Sequence, residues 1–314
     1  MDSQDNIAPE DGTPSTETTV IPPRSSDHTH TVIFLHGRED FGEYLSSDFF
    51  DSKCSTGQSM AELFPTVRWV FPTAKLQYSA QRDFEFSNSS FAEALKGEEI
   101  ISQWFDVWDI KTPEEKIHLM IPGLRDSVLK ILEIVKQEAS LISLDRVILG
   151  GISQGCAAAT LALLASGVDL GGFIGLCSWL PLQRDIEAAV EGKPLMHQRV
   201  RELLGFPTTE DPIQKFAELA DGSSDEASDK DDVALESLAT LKNLTIESSF
   251  KTPVFLAHSE DDETVPFRQG KQLAQAVSGI GFNVTLKEYK DGGHWIHACH
   301  GVDDMAAFLR TIVV

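Results

Sequence analysis

Between a β-branched run, Arg146-Val147-Ile148-Leu149, and a run of small and apolar residues, Cys156-Ala157-Ala158-Ala159-Thr160-Leu161-Ala162-Leu163-Leu164, stands Gly151-Ile152-Ser153-Gln154-Gly155. The first run reads as a buried strand and the second as a helix. A serine on a strand-to-helix turn, with glycine two residues to either side, is a nucleophile elbow. The turn is too tight for side chains at the flanking positions, and it lifts the serine hydroxyl above the sheet. A chain built around such a turn must place a strand inside a sheet and feed it directly into a helix.

The rest of the chain agrees with that demand. Buried strands are expected at residues 31–36, 67–71, 172–177, 253–258 and 283–289. Helical spacing of apolar residues is expected at 42–51, 58–64, 120–140, 267–279 and 300–312. Residues 75–115 read as mostly irregular. Strands that alternate with helices imply an α/β fold, a mostly parallel central sheet with helices on both faces. In such sheets ligands bind at the carboxyl ends of the strands, and the chemically interesting residues here all follow strands.

Two segments stand outside this alternation. Residues 1–29 are polar, acidic and rich in Ser, Thr and Pro, which predicts a disordered tail that activity does not need. Residues 183–250 separate two strands that a far shorter connection would join. They read as a cap-like insertion holding an acidic flexible loop at 221–232. The domain plan is therefore an N-terminal tail followed by one α/β domain over residues 30–314.

Acids outnumber bases 49 to 26, for a formal net charge of −23. Nucleic acid is excluded as a partner, because phosphate binding needs a basic face. The start, Met1-Asp2-Ser3-Gln4-Asp5, lacks the basic and apolar stretches of a secretory signal, and no run is apolar enough for a transmembrane segment. The four cysteines, Cys54, Cys156, Cys177 and Cys299, have neither metal nor redox spacing. Reduced thiols and a cytoplasmic location are the expectation. The sequence carries no signal for oligomeric state.

Ser153 needs a base to take its proton, and the base needs a carboxylate to hold its tautomer. Two segments after late strands can supply them: His258-Ser259-Glu260-Asp261-Asp262-Glu263-Thr264-Val265-Pro266 and Asp291-Gly292-Gly293-His294-Trp295. Serine, acid and histidine would then follow in that chain order. His297, Cys299 and His300 lie near His294 but match no recognised metal spacing, so no metal and no cofactor is expected. The N–H of Gln154, at the start of the elbow helix, is a candidate donor to an oxyanion.

These motifs together resemble the phospholipase/carboxylesterase family that contains the acyl-protein thioesterases, a group of α/β-hydrolases. The shared segments are Leu35-His36-Gly37, Trp104-Phe105-Asp106, the G-x-S-Q-G elbow, Trp179-Leu180-Pro181, His258 to Pro266, and Gly293-His294. The resemblance covers about residues 31–182 and 251–313. It implies Ser153 as nucleophile, Asp262 as orienting acid and His294 as base, with Asp261 the rival acid. The spacing to Val265-Pro266 favours Asp262. The resemblance also implies the N–H of Arg38 as the second oxyanion donor. Gly37 is expected to let that loop approach substrate, His36 to be structural, and Trp179, Leu180 and Pro181 to wall an acyl pocket. Glu39 departs from the pattern, which has glycine there, and its carboxylate and the Arg38 guanidinium are expected to face solvent. Cys156 is expected to be buried and inert.

The resemblance thus implies a serine hydrolase of carboxylic esters or thioesters that works through an acyl-enzyme. S-acylated proteins, lysophospholipids and short acyl esters are the candidate substrates. The alternative is a non-catalytic ligand- or partner-binding module on the same fold. Its sign would be a lost member of the triad, and none is lost.

Overall fold

A computed structural model describes residues 16–89, 99–192, 196–206 and 250–313. Among the described residues nine strands follow in chain order. Seven of them, Thr19–Ile21 (β1), His30–Leu35 (β2), Val67–Phe71 (β3), Val147–Ile152 (β6), Gly172–Leu176 (β7), Pro253–Ser259 (β8) and Asn283–Tyr289 (β9), build one sheet. Its order is β1-β3-β2-β6-β7-β8-β9, parallel throughout except for the antiparallel edge strand β1. The central strands β2, β6 and β7 are buried along their whole length, as strands covered on both faces must be.

The α-helices among the described residues are Gly42–Asp51 (α1), Met60–Leu63 (α2), Ala80–Ser87 (α3), Met120–Ala139 (α4), Gln154–Ser166 (α5), Gln183–Gly192 (α6), Met196–Leu203 (α7), Phe267–Ile280 (α8) and Gly301–Leu309 (α9). On one face, α4, α5 and α8 bury residues such as Leu124, Val128, Ile131, Leu161 and Leu273 against the sheet. On the other face, α1, α2 and α9 bury Leu45, Phe49, Met60, Val302 and Met305. Each such side chain contributes roughly 1.5–3 kcal/mol. α5 is buried all round, which explains why its sequence has no polar stripe. It ends at Gly167, φ 70°, and the Arg201 guanidinium of α7 donates to Ala165 O and Ser166 O in its last turn.

The tail expectation fails over its second half. β1 pairs in register with β3, and Ser25 N–H and Thr29 N–H donate to Pro65 O and Thr66 O. Thr19-Val20-Ile21 is β-branched but, at three residues in a polar context, too short to stand out as a strand; β3 supplies the partner. Residues 1–15 lie outside the described residues. The irregular reading of 75–115 is also incomplete. Leu76–Tyr78 (β4) and Ile100–Ser102 (β5) form a separate antiparallel pair, and α3 follows β4. Of the 183–250 insertion, α6 and α7 pack on the domain, with Ile186 and Val200 fully buried. The acidic stretch 221–232 lies outside the described residues.

Candidate active site

The elbow follows from close packing. A side chain at Gly151 would place its Cβ 2.8 Å from Leu35 O and Cys156 N, and one at Gly155 would sit 2.4 Å from His36 O. With both positions stripped, β6 turns directly into α5, and Ser153 takes φ 55° and ψ −125°, a strained backbone found where function demands it. Ser153 N–H donates to Leu176 O, and Ser153 O accepts from Ser178 Oγ at 2.7 Å. Its own Oγ makes no hydrogen bond among the described residues. Ser153 and His294 both line a cavity of ≈ 380 Å³, together with Gly37, Arg38, Glu39, Asp40, Ile110, Ile152, Thr264 and Trp295.

His294 stands on the loop after β9, where Gly292 and Gly293 take φ 126° and 62°, values glycine adopts without cost. Its Nδ1 lies 2.7 Å from Asp262 Oδ2. Asp261 takes another part: it is exposed, and its Oδ1 accepts from Gly293 N–H at 2.9 Å, which ties down the loop that carries the imidazole.

Asp262 is saturated with donors. Oδ1 accepts from the N–H groups of Thr264 and Val265, each at 2.9 Å. Oδ2 faces His294 and also His258 Nε2 at 3.1 Å. Burial pushes the carboxyl up, but the hydrogen bonds from both histidines and from Val265 N–H outweigh it and hold the group well below the usual carboxylate range. The His258 contact was not legible in the sequence as more than a motif position. Its Nε2 lies 2.9 Å from Val265 O as well. With two acceptors in front of it, Nε2 carries the proton. Nδ1 is buried and has no hydrogen-bond partner among the described residues.

The loop after β2 closes the other side of the cavity. His36 is fully buried and structural in its contacts: Nε2 accepts from Ala74 N–H at 2.8 Å, and Nδ1 donates to Gly37 O at 2.6 Å. Burial drives its pKa down to about 4. Because a trans peptide points its C=O and N–H in opposite directions, that bond to Gly37 O sets the direction of the Arg38 N–H. Among the described residues the Arg38 N–H has no acceptor. The N–H of Gln154, in the first turn of α5, has no intrahelical acceptor either. A Cβ on Gly37 would meet Ser153 Cβ at 3.5 Å and its Oγ at 3.9 Å, so a side chain here would lie over Ser153.

The side chain of Gln154 explains why two distant motifs belong together. Its Oε1 accepts from Trp104 N–H and its Nε2 donates to Phe105 O, both at 2.8 Å and fully buried. Trp104 Nε1 in turn donates to His36 O at 2.9 Å. Elbow, Trp104-Phe105 segment and loop 36–39 are thereby one hydrogen-bonded unit.

Two expectations about side chains are corrected. Arg38 and Glu39 do not simply face solvent. Arg38 donates to Ser79 Oγ at 2.7 Å and pairs with Glu39 Oε1 at 3.1 Å, and the Glu39 carboxylate also meets the Arg82 guanidinium of α3. Glu39 adopts φ 66°, the left-handed conformation that costs a non-glycine residue on the order of 1 kcal/mol. Trp179 and Leu180 line a second cavity of ≈ 330 Å³ with Lys111, Glu114, Arg184 and Arg268 instead of walling the Ser153 cavity, and Pro181 is buried. The reason is packing: Trp179 is held edge-on against Phe105, ring centroids 6.1 Å apart. The apolar wall beside Ser153 is Ile110, Ile152 and Trp295.

Cys156 is fully buried, and burial pushes its thiol up to about 11. Among the described residues one group of three potential metal ligands clusters within 4.8 Å, namely Cys177, Asp262 and His294. Burial, with the Asp262 charge beside it, drives the Cys177 thiol upward. His297 is engaged elsewhere, 2.9 Å from Asp291 Oδ1 and stacked on Tyr289 and His300.

A family model described as Phospholipase/Carboxylesterase matches residues 16–213, and one for the prolyl oligopeptidase family matches residues 196–313. Acyl-protein thioesterase 1 of Gibberella zeae is 26% identical over 290 residues, which span 92% of each chain. The protein of that name from Candida albicans is 23% identical over 297 residues, 93% of this chain and 96% of its own. Among solved structures, Zea mays acyl-protein thioesterase 2 superimposes with a TM-score of 0.60 at 20% identity, covering 96% of this chain and 100% of its own. Arabidopsis thaliana SOBER1 gives 0.57 at 17%, covering 91% and 99%. At these identities the superpositions establish a shared α/β-hydrolase fold.

Proposed function

The chain belongs to the phospholipase/carboxylesterase family, and on that footing we propose that it hydrolyses carboxylic esters or thioesters through Ser153, His294 and Asp262. The observation that carries this reading is the 2.7 Å contact of His294 Nδ1 with a buried, fully ionised Asp262, in a cavity that also opens on Ser153 Oγ. Asp262 holds the proton on Nδ1, which leaves Nε2 free to take the Ser153 proton. Ser153 Oγ attacks the acyl carbon. The oxyanion of the tetrahedral intermediate is received by the N–H groups of Arg38 and Gln154. Collapse expels the alcohol or thiol, protonated by His294, and leaves an acyl-enzyme. Water, deprotonated by the same imidazole, then releases the acid. The hydrogen bond between serine and imidazole is commonly long until substrate is bound.

Relatives named acyl-protein thioesterase 1 support acylated molecules as substrates, with the acyl chain against Ile110, Ile152 and Trp295. Among the described residues no helix is long and apolar enough to cross a membrane. All four cysteines are free thiols, which suits the reducing cytoplasm we assign to the chain.

The test is labelling with a fluorophosphonate probe, combined with turnover of p-nitrophenyl esters of increasing chain length. Wild type labels at Ser153 and turns over at least one ester. Ser153→Ala does neither while keeping its thermal midpoint. A folded wild type that neither labels nor turns over any ester would instead be a binding module.

A further inference from the structure

Glu39 holds a backbone conformation that glycine would adopt freely, φ 66°, and it lines the same cavity as Ser153 and His294. Strain of this kind persists only where surrounding contacts over-determine it. Those contacts are visible. Glu39 N–H donates to Ser102 O of β5 at 2.8 Å. Its carboxylate lies between two guanidinium groups, that of Arg38 at 3.1 Å and that of Arg82 on α3. The Arg38 guanidinium reaches onward to Ser79 Oγ, which also accepts from Arg82 N–H as the cap of α3. Arg38 and Glu39 are thus fastened by backbone to β5 and by charge to α3. The Arg38 peptide is fastened on its other side by His36.

We propose that Glu39 is a positioning residue, whose carboxylate holds the Arg38 N–H at the oxyanion site by bridging the Arg38 and Arg82 side chains. The inference rests on the reading of the Arg38 N–H as an oxyanion donor. The carboxylate acts on geometry more than on stability. The Glu39 and Arg82 side chains are about one third exposed, and such pairs add little to folding. Without the bridge, the 38–39 backbone is no longer tied to α3 and samples other φ and ψ values, most freely where residue 39 is glycine. The donor is then present but misaimed.

The experiment uses the full chain and two variants. Glu39→Gly removes the carboxylate and at the same time relieves the positive φ. Arg82→Ala removes one arm of the bridge and leaves residue 39 unchanged. A merely structural role predicts that Glu39→Gly is as active as wild type, since its backbone is better suited to the turn. The positioning role predicts an unchanged or raised thermal midpoint with kcat down about tenfold and KM within about twofold, less than the hundredfold or greater cost of deleting an oxyanion donor outright. Arg82→Ala should lower kcat in the same sense but less, and should add nothing in a Glu39→Gly background. High salt should slow wild type and leave Glu39→Gly unaffected, because the pair is partly exposed. Full kcat in Glu39→Gly, or in Arg82→Ala, overturns the proposal. Failure of the hydrolase reading itself shows differently, as a wild type that fluorophosphonate does not label, and it ends this proposal too.

Discussion

At the scale of single residues, His36 carries a pH dependence that its neighbours dictate. Buried among apolar groups, it accepts Ala74 N–H through Nε2 and cannot bind a proton there without breaking that bond. Its folded pKa of about 4 lies below the 6.5 of a free imidazole. Between those values the unfolded chain binds a proton that the folded one refuses. The His36 contribution is therefore complete above pH 6.5 and is lost as pH falls toward 4, by on the order of 3 kcal/mol. Asp262 acts lower on the scale. Its folded carboxyl is depressed, so its contribution is present above the unfolded carboxylate pKa and is lost as pH drops beneath it. Denaturant unfolding at pH 7, 5.5 and 4.5 should show the first loss in wild type and a flatter slope in His36→Asn. Equal slopes would mean that His36 is not the group responsible.

At the scale of elements, α8 shows how a helix can be shaped for a residue it does not contain. Gly270 is the fourth residue of α8, where alanine would ordinarily gain up to about 1 kcal/mol. Here a Cβ would fall 2.1 Å from His258 Nδ1. The ring occupies the volume a side chain would need, and the same ring faces Asp262. Gly270→Ala should therefore destabilise by roughly 1–3 kcal/mol through overpacking and lower kcat by displacing the carboxylate. Gly279 on the same helix has open space around its Cβ position. Gly279→Ala should stabilise by about 0.5–1 kcal/mol. A Gly270→Ala protein that behaves like Gly279→Ala would refute this account of His258. None of this was legible in the sequence, where Gly270 is one glycine in an amphipathic run and His258 a strand end. The elbow was legible because its glycines, serine, strand and helix are contiguous.

At the scale of the whole molecule, β1 completes the sheet beyond β3 with residues that read as tail. Removing residues 1–29 leaves the outer edge of β3 with unpaired N–H and C=O groups, a template for association. It also removes the Glu17 carbonyl that accepts from Thr73 Oγ1 at 3.0 Å. The shortened chain should melt several degrees lower and associate in a concentration-dependent way, measured by calorimetry and light scattering. A chain shortened only to residue 16 keeps β1 and is the control. If the two melt alike, the edge strand contributes nothing.

The sequence alone determined the elbow, most of the succession of strands and helices, and the set of side chains proposed for acyl transfer. Those properties are local: hydrophobic period, β-branching and glycine spacing act over a few residues. The bridge at Glu39, the wall beside Ser153 and the edge strand β1 were decided only by the tertiary structure. Each depends on groups tens of residues apart, 43 in the case of Glu39 and Arg82. Their meeting is set by strand order and by packing across the sheet, which no local pattern encodes.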